Sequence, residues 1–113
     1  MPIRVGFAHY RLQLLQDELD KIIDRLPQLG VTKAILLDPL FPGIVEPDTG
    51  LKMVMVMDVD WPFVRRPDFF YSHLSPTVGV EFLVYTPREF QDVQASTSYL
   101  SRALQRSEVI YEE

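Results

Sequence analysis

The stretch that decides the fold runs from Leu40 to Asp60 and reads LFPGIVEPDTGLKMVMVMDVD. Its first part carries Pro42, Gly43, Pro47 and Gly50, residues that interrupt regular structure and mark a loop. That loop, Gly43 to Gly50, holds two carboxylates, Glu46 and Asp48. Its second part, Leu51 to Met57, is an apolar run with the period of two expected of a strand. Leu51, Met53, Met55 and Met57 fall on one side, and Lys52, Val54 and Val56 on the other. Asp58-Val59-Asp60 closes the run, and Trp61-Pro62 breaks it.

Upstream, Ala34-Ile35-Leu36-Leu37 is continuously apolar, so Thr32 to Leu37 reads as a short strand buried on both faces. Pro39 and Pro42 forbid its continuation as a central strand. Before it, Leu15, Leu19, Ile22, Leu26 and Leu29 recur at spacings of four and three, with Leu12 and Ile23 widening the stripe. This predicts a helix over Tyr10 to Leu29, stopped by Gly30. Asp17, Glu18, Asp20, Lys21, Asp24 and Arg25 are assigned to its solvated face, and residues 1–8 to an extended lead-in.

Downstream, Pro67-Asp68 opens a helix to about Leu74 that buries Phe69, Phe70 and Leu74. Val78 to Tyr85 is a third strand, with Glu81, Leu83 and Tyr85 on one face and Val80, Phe82 and Val84 on the other. Thr86-Pro87-Arg88-Glu89 has the wording of a capping box. A last helix is expected over Thr97 to Gln105, and Val109-Ile110-Tyr111 as an edge strand. Helices interspersed with strands, without repeat or linker, give one α/β (α+β) domain over residues 1–113.

Composition narrows the partners. A net charge of -5 with Arg65-Arg66 as the only basic doublet offers no footprint for nucleic acid or an anionic membrane. No cysteine is present, which excludes disulfides and thiolate-bound metals. With no signal-peptide pattern and no apolar run of spanning length, a cytoplasmic location is the default expectation. His9 and His73 are the only histidines and do not sit at ligand spacing with each other. Neither of the common phosphate-binding glycine loops occurs. Two carboxylate features remain. Glu81 stands alone in an apolar strand, where it needs a partner, a use or solvent. Asp58 and Asp60 are spaced so that, on a strand, both would face one side and could share divalent cations. Their plainer reading is a solvated strand end.

Four segments carry a family likeness: LFPG at 40–43, GLKMVMVMD at 50–58, VEFLVYTPREF at 80–90 and YLSRALQRSEVIYE at 99–112. In their order and wording the chain resembles the minimal nucleotidyltransferases of the DNA polymerase beta-like superfamily. These are small proteins often paired with HEPN-domain partners as toxin–antitoxin modules. The family pattern runs helix, strand, a loop LFGS.ARG and a strand SDIDLLVV. After a helix come a second catalytic strand with a carboxylate, the wording YTP.E and a closing helix with a Val/Ile-Tyr ending. The resemblance implies a small mixed sheet with helices packed on it. It also implies a site in which paired aspartates hold two magnesium ions on a nucleoside triphosphate.

Carried over residue by residue, the resemblance implies a site that has lost its ligands. The family's Gly-Ser becomes Pro42-Gly43, a vestigial loop, and the Ala-Arg-Gly that follows has no counterpart. The paired aspartates fall on Leu51 and Met53, which cannot ligate a hard cation, and only Glu81 keeps the third carboxylate. On this register no metal or cofactor is expected. The chain is then a catalytically inactive domain that binds protein, either a HEPN-type helical partner or another copy of itself. The Met53, Met55 and Met57 stripe suits adaptable contacts, but its plainer reading is core, above all for Met55 and Met57, which lie deeper in the strand. A second register takes Asp58, Asp60 and Glu81 as the metal ligands. It implies an active enzyme transferring AMP from ATP with magnesium, but it turns the strand at Leu51 to Met57 into a loop, against the periodicity. Nucleotide binding without turnover is a third expectation.

Overall fold

The computed structural model describes residues 2–38, 49–96 and 99–113. Pro42 and Gly43, expected as a vestigial loop, the loop carboxylates Glu46 and Asp48, and Thr97 lie outside the described residues.

The chain opens with a long helix, α1 (Pro2–Arg25), which continues as a 3-10 turn at Leu26–Leu29. The turn tightens where Pro27 cannot donate a backbone N–H. It ends at Gly30, whose φ of 84 is the left-handed cap that glycine supplies without strain. Helical structure thus reaches back over the expected extended lead-in. Pro2 is tolerated in a first turn, and the helix runs on from it to Arg25.

Strand β1 (Lys33–Leu36) follows, then β2 (Leu51–Val56). After β2 a 3-10 turn (Phe63–Arg65) leads into α2 (Arg66–Leu74). Strand β3 (Val80–Tyr85), helices α3 (Pro87–Ala95) and α4 (Tyr99–Leu104), and strand β4 (Glu108–Glu112) complete the fold. The sheet has the order β3-β2-β1-β4. β1 lies antiparallel to both β2 and β4, whereas β2 and β3 are parallel, so the sheet is mixed and the fold is α+β.

Each face of the sheet has its own core. On one face Leu51, Met53, Met55 and Met57 join Ala34, Leu36, Phe82 and Val84 under α1 and α2, which contribute Leu15, Ile22 and Phe70. Each fully buried side chain of this size is worth about 1.5–3 kcal/mol. On the other face Ile35, Leu37, Val54 and Val56 pack against Phe90 of α3 and Ala103 of α4. The alternation read in the sequence for β2 and β3 holds on both faces.

The parallel pairing leaves β3 with one outer edge, and side chains cap it. The Tyr71 hydroxyl donates to the Val80 carbonyl at 2.6 Å, and Arg66 Nη1 donates to the Val84 carbonyl at 3.0 Å. Satisfying those carbonyls blunts an edge that would otherwise template another strand. The Arg66 side chain, buried, also donates to Glu89 Oε1 at 2.6 Å and to the Trp61 carbonyl at 2.8 Å. Glu89 is the acidic member of a complete capping box with Thr86 at the start of α3, as its wording predicts. One guanidinium therefore ties α2, on one face of the sheet, to α3, on the other.

Candidate functional site

The register of β2 against β3 decides which residues can act together. Leu51 pairs with Val80, Lys52 with Glu81 and Met53 with Phe82. Register partners on parallel strands share a face, so Glu81 stands beside Lys52. Leu51 and Met53 point the opposite way and are 2% and 0% exposed in the core. Leu51 and Met53, expected at the ligand positions, therefore do not share a face with Glu81. On the Glu81 side of β2 the register places Lys52, with Gly50 and Val54 two residues to either side, and none of these is an oxygen ligand. Gly50 and Lys52 line one depression together with Leu51, Gly79, Val80 and Glu81.

The second register fares no better. β2 ends at Val56, and Asp58 and Asp60 are both exposed in the irregular segment that follows it. Glu81 lies beside Lys52, near the beginning of β2. Six residues separate positions 52 and 58, about 20 Å of extended chain at 3.3 Å per residue. Two-metal centres need their carboxylates around ions about 4 Å apart. Asp58 and Asp60 do not converge with Glu81.

Around Lys52 and Glu81 the structure forms a cleft of about 290 Å³. Its floor is apolar, from Leu37, Leu83, Leu100 and Ala103, and its rim carries Asp38, Tyr85 and Tyr99. The Lys52 ammonium lies 3.8 Å from Asp38 Oδ2, with both side chains well exposed. Such a pair contributes about 0–1 kcal/mol. Burial, with Glu89 nearby, pushes the Tyr85 phenol above its ordinary range, so it stays protonated and neutral. The entry to β2 is anchored from α1, where the Arg11 guanidinium donates to the Thr49 carbonyl at 2.7 Å and 3.1 Å.

The donor set does not suit a magnesium ion. An ammonium, Lys52, stands in register with Glu81, and a hard cation wants oxygen ligands. Among the described residues no three of His, Cys, Asp and Glu come together as a cation site. Position 50 is constrained as well. A Cβ placed on Gly50 would meet the Gly79 carbonyl oxygen at 2.6 Å, because that oxygen accepts the Leu51 N–H at 2.8 Å.

The sequence reading missed Glu18. Its charge assigns it to the solvated face of α1, but it is 2% exposed. Its Oε1 accepts from the Thr77 backbone N–H at 2.8 Å and also from the Thr77 hydroxyl. Lys21 approaches Oε2 at 3.7 Å. Burial pushes this carboxyl up, but the two Thr77 hydrogen bonds and Lys21 outweigh it and leave it below its ordinary range. Spacing carried the signal: Glu18 lies three residues after Leu15 and four before Ile22, on the buried stripe itself. Its role is to hold the turn before β3, so it belongs to the fold and not to the cleft. His9 is exposed, and the His73 ring bonds to the Phe69 carbonyl of its own helix.

No protein-family model, curated protein or solved structure matches the chain. Among the described residues no helix is long and apolar enough to cross a membrane.

Proposed function

We propose that this chain is a nucleotidyltransferase-like domain that no longer transfers nucleotides and acts by binding a protein. A HEPN-type helical protein, or a second copy of the chain, is the proposed partner. The order of elements, the mixed sheet and the wording of the back half support the scaffold. One observation carries the loss of chemistry: Lys52, an ammonium, stands in register with Glu81 where metal-dependent phosphoryl transfer needs a second oxygen ligand.

The test is thermal. Ligand that binds only the folded state raises the melting temperature. Titrating millimolar ATP with magnesium or manganese is expected to leave the transition where it is. A clear rise that disappears in Glu81→Gln would overturn the inactive reading. Purification from the native host is expected to yield a complex, and recovery of a lone monomer would count against protein binding.

A further inference from the structure

The turn between β2 and α2 spends its largest apolar side chains on solvent. Trp61 is 40% exposed, Phe63 41% and Val64 81%. Phe70, Phe82 and Phe90 are placed by burial in the two cores, whereas Trp61 and Phe63 are not. They are nevertheless held in place. The Arg66 Nε donates to the Trp61 carbonyl at 2.8 Å, and the Arg65 N–H closes the turn on the Pro62 carbonyl at 2.9 Å. The Trp61 ring packs on Phe69 at 5.1 Å, and Phe63 lies between Tyr85 at 5.3 Å and the Arg66 guanidinium at 5.7 Å. Aromatic side chains fixed before binding have little freedom left to lose, and an aromatic centre within a polar rim is the anatomy of an interface.

The rim is acidic. Asp58, Asp60 and Asp68 flank the turn and are exposed, against a single exposed guanidinium, Arg65. Arg66 does not add to the surface charge, being buried and paired with Glu89. A second copy would bring these carboxylates against each other on a chain of net charge -5, which disfavours self-association here.

Resting on the protein-binding reading, we infer that Trp61, Phe63 and Val64 form a docking surface for an apolar segment of a basic protein partner. The paired aspartates at 58 and 60 then act as steering charges and not as metal ligands.

Trp61 is the only tryptophan, so its emission reports the site directly. The probes are two synthetic, tryptophan-free amphipathic helical peptides, one of leucine and lysine and one of leucine and glutamate. The lysine peptide is expected to shift the Trp61 emission to the blue, saturably, and the glutamate peptide to leave it unchanged. Val64→Asp adds a negative charge and would strengthen mere charge attraction, yet it is expected to weaken the lysine peptide by roughly tenfold or more. The double variant D58N/D60N is expected to weaken it a few-fold, roughly, and to flatten its salt dependence. No response to the lysine peptide, an equal response to the glutamate peptide, or undiminished affinity in Val64→Asp overturns the inference. Dimerisation in sedimentation that Val64→Asp abolishes would hand the surface to a second copy and overturn it too. If wild type and Val64→Asp recover the same native complex equally well, this surface is refuted while the protein-binding reading stands. A lone monomer from the host refutes that reading instead.

Discussion

On one face of the sheet Leu51, Met53, Met55 and Met57 are closed over by α1 and α2. On the other, the same strand presents Lys52 to an open cleft before Val54 and Val56 disappear under α3 and α4. The two faces alternate along six residues of β2, yet they tolerate opposite chemistry. The closed face admits only apolar groups of the right volume, while the open end of the other face can hold an ammonium and carboxylates at little cost. Charge in this protein is permitted by access to water, and where access ends, as at Glu18, hydrogen bonds must replace it.

The strongest way to break this comparison is to exchange carboxylates between the faces. Met53→Asp places an unpaired charge in the closed core and is expected to cost at least about 4 kcal/mol, with loss of cooperative urea unfolding. Lys52→Asp, one position away, is expected to stay within about 1 kcal/mol of wild type. Equal unfolding midpoints for the two variants would show that the faces do not differ as described.

Next in size is the link between the layers. Arg66→Ala removes the hydrogen bonds to Trp61, Val84 and Glu89 and is expected to cost about 2–3 kcal/mol in chemical denaturation. A loss near zero would mean that α2 and α3 are held independently.

A smaller effect appears in acid. The hydrogen bond from Arg66, with the Thr86 amide, holds the Glu89 carboxyl below its ordinary range. A carboxyl depressed in the folded state stabilises above its unfolded pKa, about 4.3, and the gain is lost as pH falls through the folded value. Melting temperatures of wild type and Glu89→Gln are therefore expected to differ near neutrality and to converge as the pH falls through the lowered folded value. A gap that persists unchanged into acid would rule out the ion pair as its source. The smallest effect belongs to the cleft rim: Lys52→Ala is expected to shift stability by less than about 1 kcal/mol, read from the same melts, and a larger loss would mean that its pairing with Asp38 is not a surface contact.

Much of this architecture was legible in the chain. The period of two at Leu51 to Met57, the Thr86 capping box and the stop at Gly30 each rest on local rules that tertiary contacts did not override. Glu18 is charged, yet its spacing from Leu15 and Ile22 puts it on the buried stripe, and spacing decides its place. The candidate site was less legible, for a geometric reason. Side chains alternate along a strand, so a one-residue slip moves every assigned ligand to the other face. The resemblance of the strand wording at 50–58 implies a ligand pair at Leu51 and Met53, and only the pairing of Lys52 with Glu81 shows which parity faces the cleft. Asp58 and Asp60 satisfied the spacing rule for shared ligands but not the distance along β2 from Glu81.

The close approach of Gly50 to Gly79 carries a further consequence, for reversibility. If the cleft descends from a metal site, putting a carboxylate back at position 50 is not a single step. Its Cβ would meet the Gly79 oxygen at 2.6 Å, and even Gly50→Ala should cost roughly 1–3 kcal/mol unless the start of β3 first moves away. A second change, a shift at the start of β3, would have to come before any side chain at position 50 could be tolerated, so the packing of the two strands fixes the order in which substitutions can be made here.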